Sequence, residues 1–155
     1  MSLPTTRLKR GLLFSALMIF FAACLSAAET SPQTVQVKIG TILASNQSDG
    51  FDPRLAPLEK QLKIMKYRSY RLLKEDTQNV RPHTSATFEI PGGRSLIITP
   101  QDYQNNRISL KVHLQRGEKP LLDTTVKLPN RGNFLSGGFS HEGGVLVLSI
   151  SATVQ

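Results

Sequence analysis

Between Arg107 and Gln115 the chain reads RISLKVHLQ, apolar and polar residues alternating without a break. That period of two is the signature of a half-buried β-strand, with Ile108, Leu110, Val112 and Leu114 on one face. The pattern recurs on both sides. Ser85–Ile90 alternates through Ala86, Phe88 and Ile90, Pro91-Gly92-Gly93 turns, and Arg94–Thr99 returns, which predicts a hairpin. Pro100–Asn106 and Arg116–Pro120 are rich in turn formers, and Leu121–Leu128 follows with Leu122, Thr124, Val126 and Leu128 aligned. Pro129–Gly132 and Ser136–Gly144 read as turns that bracket a short strand at Asn133–Leu135. Val145–Val154 closes the chain with Leu146, Leu148, Ile150, Ala152 and Val154 in register. Strands at this spacing predict an antiparallel sheet, packed as a sandwich or an open barrel.

Upstream the pattern is mixed. Val35–Leu43 alternates as a strand, and Ala44–Asp52 (ASNQSDGFD) is dense in turn residues. Leu55, Leu58, Leu62 and Met65 then fall at helical spacing on one face. Asp52 and Pro53 suit an N-cap and first helical position, while Pro57 cannot donate to the carbonyl four residues back and moves the predicted start towards Ala56. The four apolar residues predict a helix packed on the core rather than one lying on a membrane. Tyr67–Glu75 reads as a strand with Tyr70 and Leu72 on one side; were it parallel to and beside the first strand, the crossover would be right-handed. The expected class is α+β: one helix after an N-terminal strand, then a mainly antiparallel sheet, in a single domain over residues 35–155.

The first residues belong to a different problem. Arg7, Lys9 and Arg10 precede an apolar run, Gly11–Phe21, and then small residues, Ala22–Ala28. That order is a secretory signal peptide over residues 1–28, with cleavage before Glu29 and a flexible lead-in at 29–34. Phe21-Ala22-Ala23-Cys24 also offers a lipobox, in which Cys24 is lipidated and becomes the mature N-terminus; an uncleaved anchor is the third fate. Cys24 is the only cysteine, so cleavage before Glu29 leaves no thiol for a disulfide, and stability must come from an apolar core. The expected location is the periplasm or outside the cell, or the membrane as a lipoprotein.

Charge narrows the partners. The whole chain carries 19 Lys+Arg against 11 Asp+Glu; without Arg7, Lys9 and Arg10 the count is 16 against 11, a net +5. The excess gathers at Arg54, Lys60, Lys63, Lys66, Arg68, Arg71 and Lys74, a window whose one acid is Glu59. In an exported protein such a segment points to an anionic envelope component or another envelope protein, or simply to a solvated face. Tyr67 and Tyr70 among these cations offer stacking rings, but an exported chain seldom meets nucleic acid and none is expected as a partner. Membrane attachment is expected only through the signal or a lipid anchor.

Catalytic chemistry is thinly supplied. His113 falls on the outward face of its strand, His83 follows Pro82 in a turn, and His141 precedes Glu142 in a glycine-rich loop. No cluster of His or Cys at metal-ligand spacing accompanies them, so no metal or other cofactor is expected. Leu135-Ser136-Gly137-Gly138 lacks the first glycine of a nucleophile elbow, and Pro91-Gly92-Gly93-Arg94 joins two strands rather than opening a helix. The reading is a non-enzymatic envelope-associated binding or accessory protein, acting through its basic segment or an exposed sheet edge. The alternative is a small secreted hydrolase whose residues meet only in three dimensions.

Thr125–Phe139 (TVKLPNRGNFLSGGF) resembles a hairpin of the secretins, the ring-forming outer-membrane channels of bacterial secretion and pilus systems. There too an alternating strand meets a turn ending in Gly, then a short apolar strand ending in Gly-Gly. The likeness covers about 15 of the 155 residues, lacks the proline-rich segment that follows in that family, and sits in a chain far shorter than the channel domain. It implies envelope association, as part of a secretion or pilus-type assembly. Taken whole, the chain also looks like uncharacterised exported bacterial proteins, a likeness that carries no function.

Overall fold

The computed structural model describes Ser2 and residues 33–155. The leader, Cys24 and the first part of the lead-in lie outside those residues. Within them the fold is α+β, dominated by nine strands: β1 (Val35–Ser45), β2 (Gly50–Phe51), β3 (Ser69–Val80), β4 (Ala86–Ile90), β5 (Arg94–Gln104), β6 (Arg107–Arg116), β7 (Lys119–Pro129), β8 (Gly132–His141) and β9 (Gly144–Val154). They form a five-stranded sheet in the order β2-β3-β1-β9-β8 and a four-stranded sheet in the order β4-β5-β6-β7. All ladders are antiparallel except the short pairing of β2 with β3.

Alternation decides which faces meet. Val37 and Ile39 of β1, Leu146, Leu148 and Ile150 of β9, Phe88 of β4, Leu96 and Ile98 of β5, and Ile108 to Leu114 of β6 form one apolar layer between the sheets. The intervening residues Ile42 and Ala44 of β1 and Val147 of β9 face the other way, joining Leu55, Leu62, Tyr70 and Leu72 in a second layer. A helical segment covers that outer face. β1 and β9 are thus buried on both sides at this end, which is why their burial runs unbroken from Ile39 to Ser45 and from Leu146 to Ile150.

The helix is shorter and tighter than its apolar stripe predicts. It opens as a 3-10 segment, Pro53–Leu58, and continues as one α-helical stretch, α1 (Glu59–Lys63). Pro57 is the cause: without an N–H it cannot serve an α-helical ladder, and a 3-10 turn tolerates it better. Leu55 and Leu62 reach the core as expected, whereas Met65 is 36% exposed. Tyr70 and Leu72 do share the buried side of β3, but β3 runs antiparallel beside β1 and extends to Val80, so the connection is not a parallel crossover.

Two predicted turns are strand. β5 continues through Pro100 to Gln104, and the turn shrinks to Asn105 and Asn106, both at positive φ. Pro100 is admitted because β4 pairs with β5 only as far as Ile98, leaving β5 an edge from Thr99 onward. β8 likewise runs from Gly132 to His141, through the glycines read as a turn. Gly138, at φ +104°, absorbs a bulge there, and Gly137 lets Met65 and Val147 approach its Cα closely. The residues of the secretin-like stretch do turn at Asn130-Arg131, but β7 and β8 then enter different sheets rather than pairing as a hairpin.

The sheets are also tied by side chains. Lys74 and Gln78 of β3 donate to the carbonyl oxygens of Glu89 and Thr87 on the free edge of β4. Arg94, buried at the β4–β5 turn, donates to Pro91 O at 2.7 Å and to Ser140 O of β8 at 3.0 Å, with the Phe139 ring beside it.

Candidate functional site

The basic segment is divided by the fold. Asp52 caps the 3-10 segment, accepting from the Arg54 N–H at 3.0 Å, and its other oxygen accepts from the Leu72 N–H of β3 at 3.1 Å. The Arg54 guanidinium closes on the same carboxylate at 2.7 Å and also donates to Leu72 O. These donors, the Arg54 side chain first, hold the Asp52 carboxyl far below the usual carboxylate range, and Asp52 in turn raises Arg54. Arg68 makes a two-pronged pair with Asp49, at 2.8 and 2.6 Å, and that carboxylate raises it. Lys74 pairs with Asp76 at 3.0 Å, and Lys63 pairs with Glu59 one turn back along α1.

Lys60, Lys66 and Arg71 have no carboxylate partner among the described residues, and all three are exposed. They do not form one face. Tyr70 and Leu72 point to the helix side of the five-stranded sheet, so alternation puts Arg71 between them on the opposite side. It lines an open cleft of about 640 Å³ at the end of the sheet, together with Ser45, Gln47, Asp49, Asp52, Tyr70 and Glu142. The cleft is polar and of mixed charge, and two of its acids are already engaged by Arg54 and Arg68.

Lys60, Lys63 and Lys66 stay together on the crest of the helical segment. Tyr70 holds that crest from below, its hydroxyl donating to Leu62 O and accepting from the Tyr67 N–H at 3.1 Å. The Tyr67 ring packs edge-on against Tyr70, so neither ring stands free as a stacking platform. Lys66 closes the segment at φ 60°, a left-handed turn. One apolar residue, Ile64, stands among the lysines at 78% exposure, which the stripe of Leu55, Leu58, Leu62 and Met65 did not single out. The spacing does show it: Lys60 and Ile64 are four residues apart, and each is two from the buried Leu62, about 200° around the axis.

The histidines are placed apart from this crest. His113 Nε2 lies 3.2 Å from Gln115 Oε1 and its Nδ1 3.8 Å from Asp123 on β7. His141 lies 3.8 Å from Glu142, and His83 sits exposed at φ 63°. Among the described residues no serine hydroxyl is hydrogen-bonded to any of them, and no three His, Cys, Asp or Glu side chains gather as metal ligands. Among the described residues no helix is long and apolar enough to cross a membrane. Comparison with protein families, with curated proteins and with solved structures finds no match to the chain.

Proposed function

We propose that the protein is a non-enzymatic binding or accessory module of the cell envelope, exported by its leader, that recognises an anionic partner through the lysine crest. The observation that carries this is selective neutralisation. Arg54, Arg68 and Lys74 are each engaged by a carboxylate from a flanking stretch, while Lys60 and Lys66 have no carboxylate partner among the described residues and flank Lys63, paired with Glu59, on a segment pinned to the sheet. A solvated face needs no such rigid support. A docking face gains from it, because positions fixed in advance lose less entropy on binding.

The test is retention. In the native host, replacing Lys60, Lys63 and Lys66 with Glu is expected to move the protein from the envelope fraction to the soluble fraction at low salt. Retention equal to wild type, with the protein folded, overturns the reading.

A further inference from the structure

Resting on the reading of the lysine crest as a docking face, we infer that its partner is the surface of an anionic phospholipid bilayer, and that Ile64 is the residue that enters it. Three observations carry this. Ile64 is the most exposed large apolar side chain among the described residues, at 78%, and Met65 beside it is 36% exposed. Leu55 and Leu62 of the same segment are fully committed to the core, and the Met65 side chain reaches Gly137 of β8, so the fold had places for apolar side chains here and left Ile64 outside them. The charges around Ile64 are mainly lysines: Lys60 on the same helical face, Lys66 in the closing turn, and Lys63 one step away, which Glu59 partly neutralises from the start of α1.

The chemistry of the crest favours lipid over protein. The anchors of protein interfaces are aromatic residues and arginine, and lysine is depleted there. On this crest no aromatic ring is free, since Tyr67 is packed on Tyr70 and Phe51 lies in the second apolar layer; Arg54 and Arg68 are paired with acids, and Arg71 lies on the other side of the sheet. An aliphatic side chain ringed by lysines on flexible stems is instead what an interface with anionic headgroups calls for: the cations reach phosphate while the apolar side chain enters the acyl boundary.

This contact is separate from any attachment by the leader. The chain enters the five-stranded sheet at Val35, paired with Val80 and Val154, whereas the crest lies over Ala44, Tyr70 and Val147. Nine residues of strand divide the two ends, about 30 Å. A probe at the crest therefore reads the crest.

The experiment uses the protein as its host processes it, with Ile64→Cys carrying an environment-sensitive fluorophore and labelling at residue 64 verified by mass. Thr125→Cys is the control, on the outward face of the opposite sheet. Vesicles of equal parts phosphatidylglycerol and phosphatidylcholine are expected to shift the residue 64 probe to the blue, phosphatidylcholine alone to leave it unshifted, and neither to move the probe at 125. Lys60→Glu with Lys66→Glu should abolish the shift, and Ile64→Ser should weaken partition onto the anionic vesicles by about tenfold. No shift at 64, or one that ignores lipid charge, overturns the inference. If the lysine reversals release the protein from the envelope while residue 64 stays in water, the anionic partner is not lipid, and the docking face survives without the bilayer. If the reversals release nothing, both fall.

Discussion

The Tyr70 hydroxyl donates to the carbonyl oxygen of Leu62 from beneath the helical segment, eight residues back along the chain. The Tyr70 hydroxyl oxygen in turn accepts from the Tyr67 N–H, so one buried side chain fixes both ends of the turn that carries Ile64, Met65 and Lys66. Tyr70→Phe keeps the ring contacts with Phe51 and Tyr67 and removes only this oxygen. The Tyr67 N–H is left without a partner, and the expected cost is about 1–2 kcal/mol in denaturant unfolding. Amide exchange should quicken at residues 64 to 67 and not in β6. Wild-type stability and exchange in this variant would show that packing alone holds the crest.

Asp52 predicts an acid limb in the stability curve. Its carboxylate accepts from Arg54 and from Leu72 N–H, which depresses its folded pKa; the contribution is therefore present above the unfolded value and lost as pH falls. Equilibrium unfolding of wild type and Asp52→Asn should differ by a constant amount from neutral pH down to about 5, and the difference should shrink below about 4, where an unfolded carboxyl takes up its proton. A difference that stays constant into strong acid would exclude this ion pair as its source.

Legibility in the sequence followed how local each signal was. β6 alternates over its whole length, and its inward residues, like those of β9 that face the other sheet, could be named because burial on one face writes itself into adjacent positions; Val147 of β9, buried on the opposite face under the helical segment, could not. The buried side of the helical segment was also visible through Leu55 and Leu62. What escaped depended on distant partners. Pro100–Gln104 looked like a turn because its composition says nothing of where β4 stops. The glycines of β8 looked like a turn because the bulge at Gly138 and the approach of Met65 to Gly137 belong to tertiary packing. The basic segment looked like one face because the acids that divide it, Asp49 and Asp52, precede it in the turn region, and Arg68 meets Asp49 across 19 positions. Ile64 was legible in principle, as the residue opposite Leu62, once a helix was drawn there.

Gly144 is a position where only the absent side chain fits. A Cβ there would stand 2.4 Å from the Ala44 carbonyl oxygen and 3.2 Å from both Leu43 Cδ1 and Ser45 Cβ, atoms held by the β1–β9 ladder. Since backbone rather than a flexible side-chain end must yield, Gly144→Ala is expected to destabilise the protein by about 1–3 kcal/mol in chemical unfolding. The loss should appear as local opening where β1 meets the β8–β9 turn. A neutral result would mean that this end of the ladder can slide.

The strongest contrast in the molecule lies two residues apart on one helical turn. Leu62 is fully buried against Ile42, Tyr70 and Val147, and Ile64 stands in solvent. Leu62→Ala should cost about 2–5 kcal/mol, because the removed methyl groups leave a cavity between sheet and helix. Ile64→Ser should change stability by no more than about 0.5 kcal/mol, as for other exposed substitutions. Retention in the native envelope should rank differently: Ile64→Ser lowers it in a protein that melts like wild type, and Leu62→Ala lowers it only so far as the fold is lost. If Ile64→Ser proves destabilising, its side chain has a partner within the protein, and it is not held out for a surface elsewhere.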